Sequence, residues 1–175
     1  MDREYSEHET ITGGSTADLE EDDITAAEQA LNMAIVAGDI AASYEEYLDI
    51  FDAFYSDPVS FHFHDDDAEQ SDKGSIRCEL AGLLLPIHVL AEVGGVTVTL
   101  IQKSEGILAG RQRASAWTMQ LLGLSGNTTT VSWRLARTWN EERRVDSERY
   151  SDWQQTGESL GPEDVAWLSV SSFAD

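Results

Sequence analysis

The apolar residues of this chain change from a helical to an extended period within a few positions of Asp57-Pro58. That change limits the chain to folds in which a helix feeds directly into a strand. Upstream, Ile40, Tyr44, Tyr47, Leu48, Phe51, Phe54 and Tyr55 keep a spacing of three and four, so one helical face is apolar and aromatic. Proline has no N–H to donate and its ring clashes with the preceding turn, so Asp57-Pro58 ends the helix. Val59, Phe61 and Phe63 then alternate with Ser60, His62 and His64, the period of a half-buried strand.

The rest of the chain can be read outward from this junction. Thr25-Ala26-Ala27-Glu28 has the form of a capping box, and Ile24, Leu31 and Ile35 follow at helical spacing until Gly38-Asp39, which predicts a first helix. Residues 1–23 hold nine acids against Arg3 and little apolar periodicity, so a flexible acidic arm is expected there. From Ser75, the positions Ile76, Leu80, Leu83, Ile87 and Leu90 form a third helical face, kinked by Pro86 and ended by Gly94-Gly95. Four strands are predicted after it: Val96–Lys103, a run from Ile107 to Leu122 after a turn at Ser104-Glu105-Gly106, Thr129–Trp139 and Val145–Trp153. Helix, helix, strand, helix and then four strands is the order of an α+β domain, with helices packed on one face of a curved, mainly antiparallel sheet. The 175 residues suit one such domain.

Charge removes several functions. Against 33 acids there are 11 bases, a net charge of −22, which repels phosphate backbones and anionic headgroups; no nucleic-acid and no membrane partner is expected. A single cysteine, Cys78, excludes an intramolecular disulfide, and with no export signal visible at Met1–Glu9 a soluble cytoplasmic protein is expected.

Three segments resemble the nuclear transport factor 2-like superfamily, and within it the SnoaL-like polyketide cyclases. They are Ala30–Asp39, Phe54-Tyr55-Ser56-Asp57-Pro58-Val59-Ser60-Phe61, and the closing stretch from Arg144-Val145-Asp146 through Tyr150-Ser151-Asp152-Trp153 to Gly157. The resemblance implies a cone-shaped α+β fold, cystatin-like in outline, whose curved sheet and three helices enclose a pocket. It implies a SnoaL-like domain over residues 24–161, with 162–175 as a C-terminal extension, and a homodimer. Carried over by position, the acid/base aspartate of the cyclases falls at Arg149 and their histidine near Arg134. The base aspartate of the similar ketosteroid isomerases falls at His62, and their oxyanion-hole tyrosine at Leu31. The chain therefore departs from both sites.

These departures suggest a different set of candidates. Arg134 and Arg149, on strands that would pair, offer two fixed guanidinium forks for a carboxylate, enolate or phosphate. The alternative is that each pairs with an acid on an exterior face. His62 is a candidate base, because an unperturbed imidazole titrates near neutral pH, and Asp152 is the other candidate proton carrier; an outward position for His62 and a chain-capping role for Asp152 are the alternatives. Trp117, Tyr55 and Tyr150 are candidate pocket residues, with plain core packing as the competing reading. His62-Phe63-His64 followed by Asp65-Asp66-Asp67 lacks a third imidazole, so no metal and no cofactor is expected. The expected function is binding of a small, largely apolar molecule with an acidic or enolisable carbonyl group. A cofactor-free isomerase, cyclase or hydratase-type proton transfer is possible on that ligand. The alternatives are a non-catalytic ligand carrier and a dimeric interaction module using an exposed Trp133 and Trp139.

Overall fold

A computed structural model describes residues 16–38, 44–63 and 71–158. Helix α1 (Thr16–Ala37) precedes α2 (Tyr44–Phe54), which runs without a break into β1 (Tyr55–His62), as the change of period predicts. Helix α3 (Lys73–Glu92) follows, then β2 (Thr97–Ala109), β3 (Gln112–Leu122), β4 (Thr128–Trp139) and β5 (Val145–Gly157). One five-stranded sheet has the order β1-β5-β4-β3-β2; β1 runs parallel to β5 and every other pair is antiparallel.

Three boundaries differ from expectation, the first being that α2 ends at Phe54, so that Tyr55 and Asp57-Pro58 lie inside β1 and the proline does not end the helix. Helix α1 starts at Thr16, within the stretch expected to be a flexible arm, and Thr25 lies inside it rather than capping it. Apolar periodicity could not show this, because a buried arginine holds the early turns. Arg113 of β3 donates Nη2 to the Glu21 carbonyl at 3.0 Å and Nε to Thr25 Oγ1 at 3.2 Å. The predicted turn at Ser104-Glu105-Gly106 is instead continuous β2, with a register shift between Gln102 and Ser104; the reversal comes at Gly110, which takes φ +52° at no steric cost.

Asp72 caps α3, its carboxylate accepting from the Ser75 N–H at 2.9 Å, and the helix runs its full 20 residues with Pro86 inside it. By length and composition α3 is apolar enough to cross a membrane. Its buried positions are Ile76, Leu80, Leu84 and Leu90. Gly95, at φ +69°, turns the chain after the helix.

Side chains alternate across each strand, so one face of the sheet is set by Trp117, Leu135, Trp139 and Val145, all under 5% exposed. Ile24 and Leu31 of α1, Phe51 of α2 and Tyr55 and Phe61 of β1 complete this core. Trp133 packs against it and Trp139 is 1% exposed, so these two tryptophans belong to the concave inner face and form no exposed patch.

Candidate functional site

The helices do not fill the concave face. A cavity of about 560 Å³ remains between α3 and the sheet, walled by Leu80, Leu84 and Ile87 from the helix and by Leu100, Trp117, Met119, Trp133 and Leu135 from the strands. Tyr47, Arg137 and Tyr150 supply most of the polar atoms on its lining.

Those polar atoms belong to a buried network. Arg137 lies on β4 among Trp133, Leu135 and Trp139, where strand alternation turns it inward, and it is 1% exposed. Its Nε donates to Glu148 Oε1 at 2.7 Å, and its Nη1 to Glu28 Oε2 at 2.9 Å and Asn32 Oδ1 at 2.6 Å. Trp139 Nε1 donates to the other Glu28 oxygen at 2.9 Å, and Asn32 Nδ2 to Glu28 Oε2 at 3.2 Å. The hydroxyls of Tyr55 and Tyr150 both donate to Glu148, the latter at 2.8 Å to Oε2. A charge buried without partners is costly, and here each carboxylate has three donors.

The electrostatics follow from this packing. Burial drives the Tyr47, Tyr55 and Tyr150 phenols above their ordinary ionisation range, and for Tyr47 and Tyr150 the Glu148 carboxylate adds to the rise, so all three stay neutral and remain hydrogen-bonding groups. Arg137 would lose its proton more easily through burial, but the Tyr55, Glu148 and Glu28 side chains around it outweigh that effect and hold it charged.

Aromatic rings extend from this polar end. Phe63 stacks on Tyr150 with centroids 5.1 Å apart, Tyr150 on Trp153 at 5.7 Å, and Trp153 meets Trp133 at 5.4 Å. A bulge makes this possible. Arg134 pairs with Ser151 and Ser132 with Gln154, so Asp152 and Trp153 together oppose Trp133. Asp152 absorbs the extra residue in the left-handed region, at φ 55°. The inward parity of β5 thereby passes from Glu148 and Tyr150 to Trp153, which donates Nε1 to the Phe63 carbonyl at 2.6 Å.

No protein-family model and no curated protein sequence matches the chain; the likeness is one of structure. The epoxide hydrolase/cyclase-like enzyme SalBIII, with a role in pyran ring formation in the polyether salinomycin, superposes with a TM-score of 0.53 at 13% identity, over 77% of this chain and 93% of that one. A putative SnoaL-like polyketide cyclase from Jannaschia sp. CCS1 does so with a TM-score of 0.50, again at 13% identity, over 79% and 90%. The fold is SnoaL-like, of the nuclear transport factor 2-like type.

Within this SnoaL-like cone, most of the residues picked from the sequence lie away from the cavity. Arg134 and Arg149 are exposed on the outer face of the sheet, Arg149 opposite Ala136, and neither borders the cavity. Arg134 instead pairs with Asp152 at 3.7 Å, both side chains about two-thirds exposed, along an open groove on that face. Asp152 is therefore a bulge residue of β5 and not a cap on a departing chain. His62 is buried but sits beside Arg149 in the parallel register, on the face opposite Phe61, and does not line the cavity. Tyr55 is buried at 1% exposure beneath the cavity floor, while Trp117 does border the cavity and donates Nε1 to Ser115 Oγ at 2.7 Å. His64 lies outside the described residues, and among the described residues no cluster of His, Cys, Asp or Glu could hold a metal ion.

The residues that do form the polar end, Glu28, Asn32, Tyr47, Arg137 and Glu148, were not selected from the sequence. One signal for them was present. Arg137 is the single charged residue on the face shared by Val131, Trp133, Leu135 and Trp139, and a charge among large apolar neighbours implies a buried partner.

Proposed function

We propose that the cone binds one small, predominantly apolar molecule, with its polar end toward Arg137, Tyr47 and Tyr150. The observation that carries this reading is the fixed polar cluster at one end of an otherwise apolar cavity, the usual make-up of a small-molecule site. The expected Arg134–Arg149 anchor plays no part in it, and the ligand-orienting cation is Arg137. The direct test is a thermal-shift and tryptophan-fluorescence screen of neutral polycyclic ketones, alcohols and the matching carboxylates. A ligand at 100 times its dissociation constant stabilises by about 2.7 kcal/mol. Binding that disappears when Met119→Trp fills the cavity supports the reading; a screen with no binder rejects it.

A second reading adds chemistry to the same site. Tyr150 Oη is 2.8 Å from Glu148 Oε2, so a substrate hydroxyl at Tyr150 can pass its proton to the phenol oxygen as the phenol passes its own to Glu148. The alkoxide left behind attacks an epoxide carbon of the same molecule as that carbon's epoxide C–O bond breaks, and the oxygen released takes a proton from Tyr150 while Tyr150 recovers one from Glu148, in keeping with the cyclase names of the similar structures. Catalysis is separated from simple binding by Glu148→Gln, which should abolish turnover of a bound hydroxy-epoxide while leaving its affinity within about three-fold. The homodimer expected from the resemblance would use the outer sheet face, and sedimentation velocity reads it directly.

A further inference from the structure

The hydrogen atoms at the floor of the cavity can be counted, and the count limits the polar group of the ligand. A phenol has one proton to give. Tyr55 and Tyr150 both give theirs to Glu148, a carboxylate 0% exposed, whose Oε1 also accepts from Arg137 Nε. Tyr150 borders the cavity, so the capacity of its oxygen on that side is to accept. Tyr47 also borders the cavity, and its hydroxyl interacts with those of Tyr55 and Tyr150. Both of those oxygens have spent their protons, so Tyr47 can give its one proton to only one of them at a time and likewise turns acceptor capacity toward the cavity. The cluster has one donor in reserve. Arg137 uses Nε on Glu148 and Nη1 on Glu28 and Asn32, whereas Nη2 has no acceptor among the described residues.

We infer that the molecule bound in this cavity carries a hydroxyl at its buried end, donating to a phenol oxygen of Tyr150 or Tyr47 and accepting from Arg137 Nη2. The inference rests on the pocket reading above and narrows it. A hydroxyl meets both kinds of group at once. A ketone or an ether offers acceptors only, and can engage a phenol only if that phenol first withdraws its proton from its present partner. The discrimination is therefore worth about one hydrogen bond, or roughly five- to ten-fold in affinity. The bulge at Asp152 contributes by keeping Trp153 stacked on Tyr150, which fixes the phenol ring in the geometry the count assumes.

The test uses the whole chain and three probes on one saturated skeleton: 2-decalol, 2-decalone and 2-methoxydecalin, with affinities taken from calorimetry and tryptophan fluorescence. The expected order is the alcohol about five- to ten-fold tighter than the ether and the ketone. In Tyr150→Phe the alcohol's advantage over the ether and the ketone should fall below about two-fold. Because that variant also removes a partner from Glu148, Tyr47→Phe serves as a second variant, and loss of the preference in either supports the assignment. Three probes binding equally to the wild type overturn it, as does an alcohol preference that survives in both variants. If none of the three binds, the pocket reading itself is rejected and this inference with it.

Discussion

Arg137 and Glu148 meet at 2.7 Å in the interior of the cone, at 1% and 0% exposure, from facing positions on β4 and β5. The pair fixes the floor of the cavity, and it is also where stability and function are hardest to separate. Arg137→Met leaves Glu28 and Glu148 buried without their cation, which should cost about 3–5 kcal/mol, read from the urea midpoint. Combining it with Glu148→Gln should cost clearly less than the sum of the two single changes, because the second substitution removes a charge the first has stranded.

Alkaline pH should unfold the protein through its phenols. Tyr47, Tyr55 and Tyr150 have pKa values raised in the folded state, foremost by burial, while in the unfolded chain they lose protons at about pH 10. The folded state then holds more protons than the unfolded one, so stability is fully present below about pH 10 and falls as pH rises beyond it. Absorbance of phenolate at 295 nm should show these three tyrosines ionising together with loss of near-ultraviolet circular dichroism. Smooth ionisation near pH 10 with the fold intact would contradict the network.

The bulge can be tested through its conformation. Asp152 occupies the left-handed region, which glycine adopts freely and valine resists. Asp152→Gly should stay within about 1 kcal/mol of the wild type, since the exposed pair with Arg134 contributes little, whereas Asp152→Val should cost about 1–3 kcal/mol. Deleting Asp152 removes the extra residue and restores simple alternation with Trp153 still opposite Trp133, so tryptophan fluorescence and binding in the cavity should change little.

Filling the cavity should uncouple binding from folding. Met119 is half-buried and lines it, so Met119→Trp should remove every ligand response while the urea midpoint moves by no more than the about 1–3 kcal/mol typical of overpacking.

The sequence carried the element order well and the site poorly, for different physical reasons. Hydrophobic period identifies helices and strands locally, so α2 running into β1, α3 and the later strands were legible, as was the α+β arrangement. Period does not say which face of a strand looks inward. Arg134 and Arg137 differ by three positions on one strand and therefore lie on opposite faces, and the outward one was taken for the anchor. The parallel pairing of β1 with β5 places His62 beside Arg149 on the outside, and no local pattern encodes that neighbour. The bulge resets parity within β5, so counting from Tyr150 puts Trp153 on the wrong side. The polar floor combines Glu28, Asn32, Tyr47, Arg137 and Glu148 from four elements, and only the misplaced charge of Arg137 showed from sequence.

The pairing of the earliest strand with the latest also governs when the site can come into being. Tyr55 and Glu148 are 93 positions apart, and Trp139 and Glu28 are 111 apart. A ribosome delivers β5 after the other described elements, so a growing chain that has reached Trp139 already holds Glu28, Tyr55 and Arg137 yet lacks the carboxylate that gathers them. The aromatic face of the sheet and the future binding cavity stay open to water, and to other nascent chains, until about Val145–Gly157 has emerged. Closure over such sequence distances is slow compared with helical proteins of this size. Exposure to aggregation therefore lasts until β5 has been made, and the ligand site is completed only as that exposure ends.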